Sequence, residues 1–318
     1  MEFHHISVLL NETVNALNVK PNGIYVDCTA GGGGHSSKLL ESLESGRLIA
    51  VDQDPEAIEN LRDKFKDSKN VTVVHDNFVN INSVLDSLGI DEVDGIMADL
   101  GVSSYQLDTD ERGFSYHKDA PLDMRMSKEG TSAYDLVNSL TQQQIQKILF
   151  SYGDEKFAPA ISRSIVKERE KKPIETTLEL AEIVKNAVPA AARRDGHPAR
   201  KTFQALRIEV NGELTKLESA LDYMFDRLSL GGRLAIITFH SLEDRIVKNK
   251  FKKYCEGCIC PPDFPVCVCG RKPRGKTLKA VTPSKEEIEN NPRSRSAKLR
   301  IIEKINLEQE RKVLYGSR

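Results

Sequence analysis

Hydrophobic positions in the first hundred residues fall in short runs, and several of these runs end on an acid. Residues 24–27 finish at Asp27, residues 48–51 are closed by Asp52, residues 71–74 form a third run, and residues 96–98 are closed by Asp99. Apolar runs of this length, bounded by polar residues, read as buried strands. Between the second and third, Ile58, Leu61 and Phe65 share one helical face. Asp54 stands where an N-cap belongs and Pro55 where a first turn tolerates it. Strand–helix repetition of this kind predicts an α/β fold with a parallel sheet.

The alternation stops near Tyr105, and residues 132–210 carry a helical pattern almost without strand signals. Thr141-x-x-Gln144 forms a capping-box pattern ahead of Ile145, Ile148, Leu149 and Tyr152. Ile174, Leu178, Ala181, Val184 and Val188 keep helical spacing further on. The α/β pattern then returns. Leu214, Leu217, Leu221, Phe225 and Leu228 make an amphipathic stripe, with Gly231-Gly232 expected to end that helix. Residues 234–239 read as a buried strand and residues 299–302 as a late edge strand. The expected layout is one sheet domain built from residues 1–108 and 212–318, interrupted by a helical domain at 109–211 that recognises substrate.

Composition narrows the class. The 318 residues are 39% hydrophobic and 29% charged, with no apolar stretch long enough to cross a bilayer. The first residues lack a basic segment followed by an apolar run, so a cytoplasmic protein with reduced cysteines and no membrane partner is expected. Net charge is −1, but it is unevenly spread. Residues 1–104 hold 7 basic and 17 acidic side chains, whereas residues 245–304 hold 16 and 6. A basic C-terminal third suits a polyanion, because phosphate contacts dominate nucleic-acid affinity.

The segment from Val26 to Ser36 runs from a strand through Gly31-Gly32-Gly33-Gly34 toward a helix. Such glycines let the backbone turn tightly and approach a ligand, at a cost in chain entropy that a plain turn would not repay. Asp52, 25 positions after Asp27, ends the next strand and is placed to accept hydrogen bonds from ribose hydroxyls. That logic is shared by NAD and S-adenosylmethionine. The spacing Asp-x-x-x-Gly-x-Gly from Asp27 fits a methyltransferase loop better than a dinucleotide loop. His75-Asp76-Asn77-Phe78 follows the third strand, where one polar and one apolar group would bracket an adenine. Asp99 should face the ligand, since open α/β sheets bind beyond the carboxyl ends of their strands.

Longer motifs carry a family likeness. They include His5-Ile6-Ser7-Val8-Leu9-Leu10, Asp27 through Ser36, and Asp99-Leu100-Gly101-Val102-Ser103-Ser104-Tyr105-Gln106-Leu107-Asp108. Arg112-Gly113-Phe114-Ser115, Leu122-Asp123-Met124-Arg125-Met126 and Ala199-Arg200-Lys201-Thr202-Phe203-Gln204-Ala205-Leu206 follow. Thr238-Phe239-His240-Ser241-Leu242-Glu243-Asp244-Arg245 and Arg293-Ser294-Arg295-Ser296-Ala297-Lys298 complete the set. In this order, spread over nearly the whole chain, they resemble the RsmH (MraW) family. Tyr105 departs from the proline frequent there. The resemblance implies a class I (Rossmann-like) S-adenosylmethionine-dependent methyltransferase sheet with an inserted helical domain. It implies methylation of N4 of cytidine 1402 in the 16S rRNA of the small ribosomal subunit, and a homodimer. It places S-adenosyl-L-methionine against Gly33, Gly34, His35, Asp52, Phe78, Asp99 and Gln106.

The chemistry asks for little beyond orientation, because a sulfonium is a strong methyl donor. The exocyclic amine of cytosine is a poor nucleophile, and an acceptor held against it would localise its lone pair. Many amino-methyltransferases place Asp/Asn-Pro-Pro-aromatic after the fourth strand for this. Here the place reads Asp99-Leu100-Gly101-Val102, so Asp99 is the candidate catalytic acceptor, with a role at the cofactor's amino-acid end as the alternative. Loops 112–116 and 238–245 are candidates to grip the base, with a plain helix cap at Ser241-x-x-Asp244 as the other reading. Arg200, Lys201 and Phe203 suit RNA phosphates and stacking, or simply an amphipathic helix. Cys255, Cys258, Cys260, Cys267 and Cys269 are spaced like a zinc knuckle, so a structural zinc is a candidate, with solvent-near thiols as the alternative. No metal is expected in the catalytic site. A nicotinamide oxidoreductase and a non-catalytic ribosome-assembly factor are the rival functions.

Overall fold

The computed structural model describes residues 7–102, 109–261, 264–266 and 268–306, the side chains of 194 and 195 excepted. The chain divides into two compact units, one formed by the residues up to Gly101 and from Thr215 onward, the other by Val102–Leu214.

In the first unit α1 (Leu10–Leu17) precedes β1 (Ile24–Asp27), α2 (Gly34–Leu40), β2 (Arg47–Asp52), α3 (Pro55–Lys64), β3 (Val71–His75), α4 (Ile81–Ser87) and β4 (Val93–Asp99). The Asp54 side chain caps α3 by accepting from Glu56 N at 3.0 Å, with Pro55 in the first turn, as the local pattern requires. β1 to β4 pair in parallel with β1 between β2 and β4. Alternation along each strand sends side chains to opposite faces. Val26, Ile49, Val51, Ile96 and Ala98 pack into one core; Tyr25, Leu48 and Met97 pack into another on the far side. Both faces are covered, which is the condition for a parallel sheet.

In the second unit, α5 (Ala133–Ser139), α6 (Gln142–Gly153), α7 (Ala158–Arg169), α8 (Thr177–Ala187) and α9 (Arg200–Asn211) surround a single apolar core. Reciprocal capping boxes head three of them, Ser132 with Asp135, Thr141 with Gln144, and Thr176 with Glu179. A Cβ on Gly153 would stand 2.7 Å from the Lys201 carbonyl oxygen, so glycine there permits the close approach of α6 and α9.

After α10 (Glu213–Asp226) come β5 (Leu228–Thr238), α11 (Ser241–Cys255), β6 (Gly275–Thr277), α12 (Lys285–Asn290) and β7 (Lys298–Lys304). Three expectations are corrected here. The amphipathic stripe ends at Asp226, and Leu228 opens β5 opposite Val93. Gly231-Gly232 therefore does not end a helix: it lies inside β5, where the register with β4 shifts and Gly231 has φ +78°. β7 is not an edge strand, because it pairs antiparallel with β5 on one side and with β6 on the other. The sheet order is β3-β2-β1-β4-β5-β7-β6, a Rossmann-like α/β sheet in which β7 alone runs antiparallel to the other strands. Among the described residues, no helix is long and apolar enough to cross a membrane.

Candidate functional site

Asp27, Asp52 and Asp99 end three neighbouring parallel strands, and the glycine turn begins between them. Asp27 is buried. Its Oδ2 accepts from Ser36 Oγ at 2.7 Å and its Oδ1 from Thr29 N at 3.2 Å. Burial pushes its carboxyl up to about 6 against these hydrogen bonds. It thus ties the strand end to the start of α2 and braces the turn between them. Thr29 Oγ1 in turn accepts from Asp99 N at 2.6 Å, linking β1 to β4.

The turn itself is held by its neighbours. Gly31 N donates to Asp52 Oδ2 at 2.7 Å, and Gly33 N donates to Ala30 O at 2.7 Å. Gly31 and Gly33 have φ +49° and +73°, the left-handed region that glycine enters without strain. Their surroundings differ. A Cβ on Gly33 would stand 3.0 Å from Leu61, and one on Gly34 would stand 2.0 Å from Ser7 Oγ, so packing demands glycine at both. A Cβ on Gly31 would meet only the Thr29 carbonyl oxygen, at 3.8 Å, so the backbone is bare on that side.

Asp52 accepts from Gly31 N through Oδ2 and from Asp54 N through Oδ1 at 2.8 Å. Each carboxylate oxygen keeps a second lone pair for a ligand hydroxyl. Burial, with the charges of Asp54 and Asp27 nearby, raises this carboxyl to about 6 despite both N–H donors. Beyond β3, Asn77 caps a 3-10 turn (Phe78–Asn80) and its amide donates to Gln53 Oε1 at 2.5 Å. Phe78 is partly buried and packs against the sheet core.

Asp99 has one carboxylate oxygen, Oδ1, buried with no hydrogen-bond partner among the described residues. Burial and the like charges of Asp27 and Glu243 hold its carboxyl well above the usual carboxylate range. His35 is buried in the first turn of α2, with Nε2 3.0 Å from the Val8 carbonyl oxygen. That contact needs the proton on Nε2, leaving Nδ1 bare 3.9 Å from Asp99 Oδ2. Burial lowers His35 to about 4, so the ring is neutral at physiological pH. Gln106 lies outside the described residues.

The sequence pattern missed Glu243. It is buried and accepts from Phe239 N at 2.8 Å and His240 N at 3.3 Å. His240 and Glu243 form the box that starts α11, so the cap expected at Ser241 and Asp244 is displaced by one residue. Asp244 pairs instead with Arg300, at 2.6 and 2.9 Å. Only an unusual cap, His in place of Ser or Thr three residues before Glu, signalled the box. The RNA-stacking reading of Phe203 is corrected too: the ring is buried in the core of the helical unit, and Lys201 Nζ donates to the Asp154 carbonyl oxygen.

The cysteines separate. The Sγ atoms of Cys258, Cys260 and Cys269 lie within 4.8 Å of one another. Cys255 closes α11 and packs against the sheet core. Cys267 lies outside the described residues.

The sequence profile of the MraW methylase family matches residues 2–305. The chain belongs to that family. It is therefore a methyltransferase of the S-adenosylmethionine-dependent kind, and the oxidoreductase alternative has no support. A protein of Clostridium botulinum (strain Kyoto / Type A2) called ribosomal RNA small subunit methyltransferase H is 59% identical over 309 residues, covering 96% of this chain and 100% of its own. Its counterpart in strain 657 / Type Ba4 is 58% identical with the same coverage. A solved rRNA methylase from Streptococcus thermophilus is similar at a TM-score of 0.43 and 13% identity, covering 95% of this chain and 99% of its own, a likeness too distant to bear on function.

Proposed function

We propose that this chain methylates N4 of one cytidine, position 1402 of 16S rRNA, in the small ribosomal subunit, with S-adenosylmethionine as donor. The observation that carries the reading is the set of strand-end acids around a bare glycine backbone, with Asp99 Oδ1 buried and without a partner among the described residues. The names of the C. botulinum relatives support an rRNA substrate. The basic stretch at residues 245–304 suits its phosphates.

The residues fit the donor. Asp52 would hold the two ribose hydroxyls, the bare face at Gly31 would admit the amino-acid end, and Phe78 would pack against the adenine. Gly33, Gly34, His35 and Gln106 complete the cofactor side as the family resemblance implies. The donor supplies a methyl group on a positively charged sulfur. A cation near Asp99 favours its ionised form, offsetting the burial that raises it. Asp99 would accept a hydrogen bond from the cytosine amine, localise the nitrogen lone pair toward the methyl, and take the proton that N4 releases once the methyl group has been transferred. His35, fixed by Val8, keeps a neutral ring beside Asp99 and does not compete as a cation. The helical domain at residues 109–211 is assigned to substrate recognition, with residues 1–108 and 212–318 as the catalytic domain.

The test uses purified full chain, donor with a labelled methyl group, and small subunits from cells lacking the activity. Mass spectrometry of digested rRNA should find one label, on N4 of a single cytidine. Label on another atom or nucleotide would overturn the proposed site, and donor binding without any label would overturn the substrate.

A further inference from the structure

Residues 256–270 lie between two anchored points. On one side α11 ends with Tyr254 and Cys255 packed on the sheet core. On the other, Arg274 N donates to the Tyr254 carbonyl oxygen at 2.8 Å, and its guanidinium lies 5.4 Å from the Phe225 ring centre. Between these anchors the large apolar side chains Ile259, Phe264, Val266 and Val268 are 51–72% exposed, so no apolar core holds the described part of this segment. What does converge is sulfur. Cys258 and Cys269, eleven positions apart, have Sγ atoms 3.6 Å apart, and Cys260 Sγ joins them.

That separation is a thiol–thiol hydrogen-bond contact, too long for a disulfide and close to what a shared metal ion would impose. A disulfide needs about 2.05 Å between sulfurs. Two thiolates bound to one tetrahedral zinc at about 2.3 Å each stand about 3.8 Å apart. The backbone brings the ligands together as well: Cys260 N donates to Cys258 Sγ at 3.4 Å. We propose that Cys258, Cys260 and Cys269 bind a structural zinc ion through their thiolates, tying Cys258 and Cys260 to Cys269. The described residues supply three of the four tetrahedral positions. Each thiol loses its proton to solvent on binding, so affinity falls as pH falls. The three cysteines are exposed or half-buried, so the role of the ion is to fold the segment.

Full-length protein purified under reducing conditions, without metal-affinity steps, should carry about one zinc per chain by plasma mass spectrometry. The triple variant Cys258→Ser/Cys260→Ser/Cys269→Ser should lose it, with its far-UV dichroism unchanged. Should that variant misfold, wild-type chain stripped with a chelator and titrated with cobalt provides an independent reading. Intense thiolate-to-cobalt charge-transfer absorption in the near ultraviolet, saturating at one equivalent and displaced by zinc, supports the site. Wild-type chain that takes up no zinc even when titrated, a folded triple variant that keeps it, iron or copper in its place, or cobalt binding without charge transfer would each overturn the proposal.

Discussion

The strand-end acids and the thiols of residues 258–269 are both clusters of reactive side chains, but they are held in opposite ways. Asp27, Asp52 and Asp99 close strands whose side chains fill two apolar cores, and the cost of crowding three carboxyls is carried by that packing. The thiols sit in a stretch whose described large apolar side chains are exposed, and three of their sulfur atoms approach one another. A scaffold buried on both faces can store electrostatic strain for a ligand to relieve. A segment whose described apolar side chains are exposed has no such packing to draw on, and the proposed zinc ion would supply the constraint instead.

The sharpest break of this comparison is at Asp99. Asp99→Asn should lower kcat by about 10²–10³, the usual loss for one preorganised polar group, with donor affinity changed less than tenfold. Steady-state kinetics at saturating donor read this; normal kcat with donor affinity lost would move Asp99 to the cofactor side alone. Next comes Asp52→Ala. Two charge-assisted hydrogen bonds at about 1.5 kcal/mol or more each predict a loss of at least about two orders of magnitude in donor affinity by calorimetry. The measurement belongs at pH 8, where a carboxyl raised to about 6 is ionised. Unchanged affinity would sink the ribose assignment.

Asp27 tests the stored strain directly. Its folded value near 6 exceeds the ordinary 3.8, so the folded chain binds this proton more tightly than the unfolded chain. That stabilisation is complete below about pH 4 and is lost as pH rises through 6. Measured against Asp27→Asn, which does not ionise, wild-type unfolding free energy should fall by up to about 3 kcal/mol between pH 4 and 7. A pH-independent difference would show that Asp27 is better solvated than its burial implies. The smallest effect lies in the other region. Val268→Ser should change unfolding free energy by less than about 0.5 kcal/mol in denaturant melts, because its side chain is already 72% exposed.

Much of the fold was legible because its signals are local. Asp54-Pro55 and Thr141-x-x-Gln144 declare helix starts within four residues, and both strands and acids at Asp27, Asp52 and Asp99 follow from short runs. Errors arose where pairing decides. Gly231-Gly232 reads as a helix stop, but β4 captures Leu228 and turns the glycines into an irregularity within a strand. β6 is three residues long and carries no pattern of its own, so β7 looked like an edge. At the site, the acids showed themselves, whereas Glu243 did not, because its burial and its effect on Asp99 exist only once α11 packs beside β5. Phe203 belonged to a motif that read equally well as core or as stacking surface, and only the neighbours of α9 decide between them.

The placement of β7 between β5 and β6 sets a condition on synthesis. A nascent chain that has not yet exposed Lys298–Lys304 has an open flank along β5 and nothing for β6 to join. Strands β1 to β5 can each emerge and find a parallel neighbour, yet the sheet stays unfinished until Lys304 has been translated and β7 can insert. Until then the unpaired backbone groups of β5 form an open sheet edge of the kind that recruits a strand from another chain.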